Sequence, residues 1–316
     1  MLGNSSGPRD LSIVVITRNR SEQCARMCAI LEGQLRQHPL LKTEIILIFD
    51  GCGRYDWIRD QQPYKAVLLP SRLGIAGARN TGLDRAEAPV VAFLDDDALP
   101  AETWLSSLLR GLAAYPHHIA FGGRVIGHDG TNLYAQLRDL VYYFETFGSW
   151  YVNDSDRSDM PGTPYVNGGN AAYRRAALVS AGGFNRVLPA YSDVEMGRRL
   201  NLRMHGVLLA GMSIRHDHPA AFQIYMERCL RSGKARALIW RDRRYREHSP
   251  VSVLGAIVRN ILWSNYVRSR RLSGHRVRAA AVLFCQEVAH GYGYTASLLQ
   301  HQQIRHLFVR RWFVRP

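Results

Sequence analysis

The chain has 316 residues, 47% of them apolar and 21% charged, with a formal net charge of +15. That length allows a large core in one large or two ordinary domains, and the composition is that of a soluble globular protein rather than a low-complexity one. No apolar run reaches ~18 residues, which argues against a transmembrane helix, and the polar start MLGNSSGPRD lacks the apolar centre of a signal peptide.

The charge is unevenly spread. From Pro219 to Pro316 there are 18 arginines and lysines against 4 acidic residues, whereas residues 1–218 carry 23 against 22. This asymmetry predicts a boundary near residue 218 and an anionic partner for the basic final third. The five cysteines (Cys24, Cys28, Cys52, Cys229 and Cys285) are odd in number and form no CxxC pair. They argue against a disulfide framework or a zinc site and fit a reducing cytosol.

Residues 1–10 read as a flexible tail. LSIVVIT, Leu11 to Thr17, reads as a first buried strand, with Thr17, Arg18, Asn19 and Arg20 at its carboxyl end. Cys24, Met27, Cys28, Leu31 and Leu35 then follow helical spacing. Glu44 to Phe49 is a second strand ending in Asp50-Gly51, and Ala66 to Leu69 a short third. A glycine-rich turn from Leu73 to Gly82 opens a helix that ends near Ala86. The strand Pro89 to Leu94 runs straight into Asp95, Asp96 and Asp97. Strands alternating with helices imply a mostly parallel sheet covered on both faces.

Ala101–Tyr115 is helical in pattern and Ile119 to Ile126 reads as a strand. Residues 128–164 are irregular and suited to substrate-binding loops. Val166 to Asn170 is a tight turn, followed by a helix over Arg174–Ala181. Ser192-Asp193-Val194-Glu195 has capping-box spacing and opens a helix through Arg203. In the final third, Phe222–Ala237 and Val251–Val267 read as amphipathic helices studded with arginine. Trp150, Tyr151 and Trp240 could stack on a ligand, although aromatic side chains more often serve the core.

Three carboxylates at a strand end repel one another and need a cation, a helix N-terminus or open solvent. Carboxylate oxygens suit Mg²⁺ and Mn²⁺, and ligands of open α/β sheets bind beyond the carboxyl ends of strands. Taken alone, the run reads equally as a divalent-metal site facing a phosphorylated substrate or as a solvated acidic turn. Asp50 could hold a ribose hydroxyl or a base edge. Gly74 and Gly77 would let backbone approach a ligand closely, and Arg79 supplies a fixed planar cation. The spacing is not the GxGxxG dinucleotide fingerprint.

Seven stretches occur in order: LSIVVITRNR, EIILIFDG, LGIAGARNTGLDRA, VVAFLDDDALP, GGNAAYRRAALVSAGGFN, YSDVEMGRRL and IRHDHP. Together, over about residues 11–218, they resemble a family-2 glycosyltransferase of the GT-A fold. The resemblance implies a Rossmann-like, mostly parallel α/β sheet over 11–218, followed by a basic helical region over 219–316. It implies an inverting transfer of one sugar from a nucleoside diphosphate, UDP first, to an acceptor hydroxyl, with Mg²⁺ or Mn²⁺. Asp193 is then the catalytic base. The nucleotide-sugar-binding residues are Thr17, Arg18, Asn19, Asp50, Gly74, Arg79, Asp95 and Asp96. Asp97, Asp95 and His216 form the metal set, Asp97 being the more direct ligand.

The family's Glu-Asp pair is Ser192-Asp193 here, and no Gln-x-x-Arg-Trp motif follows, which favours single-sugar transfer over processive polymerisation. The competing readings are a sugar-phosphate nucleotidyltransferase and a non-enzymatic polyanion-binding protein. The first needs a glycine-rich loop after strand one, which Thr17-Arg18-Asn19-Arg20 is not. The second leaves the three aspartates and Asp193 unexplained, and nucleic acid is not an expected partner. The basic third suits an anionic membrane surface with a lipid-linked acceptor, an acidic acceptor, or a homo-oligomer contact. A cytoplasmic enzyme, peripheral at the inner face of the membrane, is the expected setting.

Overall fold

The computed structural model describes residues 8–58, 64–127, 132–134, 136–137, 158–216, 221–241 and 276–299. The chain divides into two compact units. The first comprises residues 1–128, 141–186 and 192–217; the second comprises 129–140, 187–191 and 218–316.

In the first unit, β1 (Leu11–Thr17), β2 (Thr43–Phe49), β3 (Tyr64–Leu68) and β4 (Val90–Asp95) run parallel in the spatial order β3-β2-β1-β4. Beyond β4 the large sheet continues through β9 (Asn170–Arg174), β6 (Ala120–Gly122), β10 (Gly206–Leu208) and β8 (Met160–Pro161). Strand β9 is antiparallel to both β4 and β6. A second sheet holds β5 (Ala98–Pro100), β11 (Ile214–His216) and β7 (Val125–Gly127).

Both faces of the large sheet are covered, as the apolar runs of its strands require. Leu11, Ile13 and Val15 of β1 face α1 (Ser21–Arg36), which buries Cys24, Met27, Cys28, Leu31 and Leu35, and α3 (Trp104–Ala114), which buries Trp104, Leu105 and Leu108. Val14 of β1, Ile46, Ile48, Val91 and Phe93 face the other way. They pack with Ala76, Ala78 and Leu83 of α2 (Gly74–Arg85), Leu178 of α4 (Arg175–Ser180) and Met196 of α5 (Ser192–Arg199). The fold class is the one expected.

Three local expectations change. Residues 119–126 are two strands in different sheets, because the chain turns at Gly123, whose backbone passes against the Met212 carbonyl with no room for a side chain. Asn170–Arg174 is a central strand rather than the end of a turn; NAAYR lacks the β-branched residues that mark a strand. Gly77 lies inside α2 and not in a turn, and an added Cβ there would meet Leu73 at 2.7 Å.

The second unit contains α7 (Phe222–Arg241) and α8 (Arg276–Leu299), which pack against each other; α6 (Leu202–His205) belongs to the first. Trp150, Tyr151, the expected helix over Val251–Val267 and the Trp240 side chain lie outside the described residues.

Candidate active site at the strand ends

Strand β4 ends at Asp95, and two turn residues separate it from β5. In the antiparallel pairing of β5 with β11, His216 lies opposite Ala98, the residue after Asp97. This register brings His216 Nε2 to 3.0 Å from Asp97 Oδ1 and 3.8 Å from Asp95 Oδ2. One ligand atom from each of Asp95, Asp97 and His216 fits within a 4.8 Å span. Two carboxylates and an imidazole form a donor set suited to a divalent cation. Burial lowers the affinity of His216 for a proton, but its close approach to the Asp95 and Asp97 carboxylates more than offsets this and raises its pKa to about 10. Burial works against ionisation of Asp95, yet His216 and the charge of Arg79 hold it at about 2. The cluster therefore draws positive charge strongly, and its residues fit a metal ion.

The acidic run is not a solvated turn, because Asp96 and Asp97 are 4% and 6% exposed. Asp96 turns toward the end of β1. Its Oδ2 accepts hydrogen bonds from Thr17 Oγ1 at 2.7 Å and the Arg18 backbone N–H at 3.3 Å, and its Oδ1 one from Arg20 at 2.9 Å. Burial raises the Asp96 pKa despite these donors. The Arg20 guanidinium also bonds Asp97. Tyr55 completes this corner, with its hydroxyl 2.7 Å from Thr17 Oγ1 and accepting the Arg20 backbone N–H at 2.8 Å. Asn19 is exposed, at φ +56°.

Asp50 sits at the adjoining end of β2, where its backbone N–H donates to the Thr17 carbonyl at 3.0 Å. Its two carboxylate oxygens accept the N–H groups of Leu73 at 2.6 Å and Gly74 at 3.1 Å, the first donors of α2. Asp50 thus caps α2 from another strand and opposes the positive end of the helix. Gly74 takes φ +74°, which glycine adopts without steric cost.

Five residues further along α2, Arg79 is buried at 3% exposure, donates to Asp95 at 3.3 Å and stands over the Phe184 ring. Above it runs the turn Asn167-Gly168-Gly169, fixed by the pairing of Leu94 with Asn170. A Cβ on Gly168 would lie 2.3 Å from Arg79, and one on Gly169 would lie 2.5 Å from Asp95 Oδ2. Gly168 N–H donates to Asp193 Oδ2 at 3.0 Å, and Asp193 Oδ1 accepts the Val194 N–H at 2.9 Å. Asp193 lies in the first turn of α5, where Glu195 is engaged by Arg199 at 2.8 Å.

The site residues expected from sequence therefore form connected groups. Asp95, Asp97, His216 and Arg79 make one; Thr17, Arg18 and Asp96 another; Asp50 and Gly74 a third; Asp193 joins the first through the glycine turn. Sequence reasoning left Arg20, Tyr55 and the Gly168-Gly169 turn outside the site. Arg20 had a signal, since a cation two residues from an expected ligand contact faces three aspartates; Tyr55 had none.

Among curated proteins, the chain is 27% identical over 237 residues to the pre-mycofactocin glycosyltransferase of Mycobacterium tuberculosis, a match covering 71% of this chain and 46% of the relative. It is 26% identical over 234 residues to validoxylamine A glucosyltransferase of Streptomyces hygroscopicus, covering 66% and 54%. The chain spans about half the length of these relatives. Among solved structures, the mannosyltransferase PcManGT of Pyrobaculum calidifontis, in complex with GDP-Man and Mn²⁺, aligns with a TM-score of 0.55 at 18% identity, covering 96% of this chain and 84% of its own. TarS of S. aureus in complex with UDP-GlcNAc aligns at 0.51 and 12% identity, covering 92% of each chain. Residues 12–180, over half of the sequence and running from β1 through α4, match the model of Glycosyl transferase family 2, and the chain belongs to that family.

Proposed function

We propose that the protein transfers a single sugar from a nucleoside-diphosphate sugar to an acceptor hydroxyl with inversion at the anomeric carbon. The observation that carries this reading is the turn at Gly168-Gly169. One residue bonds Asp193, and the next lies against Asp95 and accepts the Asp95 backbone N–H at 3.4 Å. A prospective base and a prospective cation site are thereby fixed to neighbouring residues. Inversion needs this pairing: one group takes the acceptor's proton while charge developing on the leaving diphosphate is stabilised nearby.

In this reading Asp193 accepts the proton of the acceptor hydroxyl as that oxygen attacks the anomeric carbon. Its two backbone hydrogen bonds orient the carboxylate. Asp95, Asp97 and His216 would hold Mg²⁺ or Mn²⁺, which when bound supplies electrostatic stabilisation of the diphosphate. Thr17, Arg18, Asn19, Asp50, Gly74, Arg79 and Asp96 frame the nucleotide side. Asp50 and Asp96 also set the local backbone there, through α2 and the end of β1. UDP is the first donor nucleotide to test. The basic third is the part that meets an anionic membrane surface, where a lipid-linked acceptor would be presented.

The test is thermal stabilisation by UDP, GDP, dTDP and CDP, each with Mn²⁺ and with EDTA. A metal-dependent shift with one nucleotide is expected. No shift with any nucleotide would sink the reading.

A further inference from the structure

Helix α8 is apolar on two faces: Ala279, Val282, Leu283, Tyr294 and Leu298 are buried, and a second apolar set is exposed. Val277, Phe284, Val288 and Tyr292 are 84%, 50%, 48% and 66% exposed, and Ala281 is exposed between them. Steps of four, three, four and four residues put all five on one stripe, about 22 Å long at 1.5 Å per residue. The buried face also holds Gln286, Glu287 and His290, with Gln286 hydrogen-bonded to Tyr225 of α7. A helix with one face in water carries polar residues on that face, and this one, Arg278 apart, does not. A contiguous apolar surface of this kind marks a place of attachment.

The charges around the stripe identify what attaches. Glu287 is the only acidic residue of α8 and it is buried, so the exposed face offers Arg278 and no carboxylate. At the Val277 end the sequence places Arg268, Arg270, Arg271, Arg276 and Arg278 within eleven residues, with no acidic residue among them. An apolar stripe on a helix that the sequence precedes with a cationic run suits an anionic lipid surface, where side chains enter the acyl boundary and arginines meet headgroups. Tyr292 has the amphipathic ring that such an interface favours. No helix among the described residues is long and apolar enough to cross a membrane, so this geometry is one of lying on a bilayer. A second copy of the chain is less suited as the occupant, because each copy would bring the same strongly basic region to the contact.

We propose that the Val277–Tyr292 face of α8 docks on an anionic phospholipid bilayer. This rests on the reading of residues 219–316 as membrane-facing and names the surface responsible.

The experiment is flotation of the full chain with phosphatidylcholine vesicles and with vesicles that also contain phosphatidylserine. It compares the native sequence with a triple variant, Val277→Ser, Phe284→Ser and Val288→Ser. These side chains are solvent-facing, so the thermal midpoint should hold. The native protein should float with phosphatidylserine vesicles only, less so in high salt. The variant should lose roughly tenfold or more of its binding, since three apolar side chains no longer leave water. Light scattering on both proteins accompanies the assay. A native protein that binds neither vesicle overturns the membrane reading altogether. A native protein that binds, with a variant that binds equally, overturns the α8 face while leaving that reading in place. A variant that changes oligomeric mass with unchanged vesicle binding overturns it in favour of contact between copies.

Discussion

The backbone N–H of Gly168 donates to Asp193 Oδ2 at 3.0 Å. This single bond reaches from a turn in the sheet to the first turn of a helix 25 residues later in the chain. It matters because the same turn touches Asp95 one residue on, so displacement at either carboxylate is felt at the other. In packed interiors such contacts transmit shifts of a few tenths of an ångström.

Asp193→Asn keeps an oxygen that can accept the Gly168 N–H but removes the proton acceptor. Transfer should fall by roughly 10²- to 10⁴-fold, the usual contribution of a positioned base. Nucleotide-sugar affinity, measured by calorimetry, should stay nearly unchanged. Turnover close to that of the native protein would remove Asp193 from the role of base.

Gly169→Ala adds a methyl 2.5 Å from Asp95 Oδ2, so the carboxylate must move. Metal-dependent nucleotide binding should weaken, with metal-independent binding less affected. The variant should still fold by circular dichroism, because the flexible side chain can yield. Equal loss with and without metal would separate the glycine from the cation site.

Much of this site was legible because its residues follow apolar strands that announce themselves. LSIVVIT, EIILIF and VVAFLD fix where Thr17, Asp50 and Asp95 must lie, since parallel strands present their carboxyl ends together. The second sheet was not legible. Ala98–Pro100 and Ile214–His216 are three-residue strands whose pairing depends on contacts more than 100 residues apart. That pairing seats His216 beside Asp97. Tyr55 escaped notice for a similar reason: its partners, Thr17 and the Arg20 backbone, are set by how strand ends converge, and no local periodicity carries this information.

Glu44 gives a pH prediction away from the site. It is buried at 3% exposure, accepts hydrogen bonds from the Ser12 hydroxyl and the Glu87 N–H at 2.8 Å, and pairs with Lys65 at 2.6 Å. Burial would raise its pKa, but Lys65, Ser12 and the Glu87 N–H together lower it. A carboxyl with a lowered folded pKa contributes stability above its unfolded pKa and loses it as pH falls through the folded value. Glu44→Gln should therefore destabilise the protein at neutral pH by about 1–3 kcal/mol. Urea unfolding at decreasing pH should show the difference between the two proteins closing in the acid range. A gap that stays constant with pH would mean that charge is not what Glu44 contributes.

Arg20 is a cation that the site itself supplies to Asp96 and Asp97. Its guanidinium spans Asp96 and Asp97, two buried neighbouring carboxylates that would otherwise repel each other, and those carboxylates in turn raise its pKa against the effect of burial. Arg20→Gln should lower stability in EDTA by about 1–3 kcal/mol, the usual cost of removing one partner from a charge-assisted bond. Bound divalent metal should recover part of that loss, because a cation held by Asp95, Asp97 and His216 neutralises Asp97 from its other side and binds only the folded chain. Thermal unfolding of both proteins with EDTA and with Mn²⁺ reads this directly. The variant should gain more from Mn²⁺ than the native protein does. Equal gains would mean that Arg20 and the cation site act independently, with Arg20 serving to pin the end of β1 through Asp96.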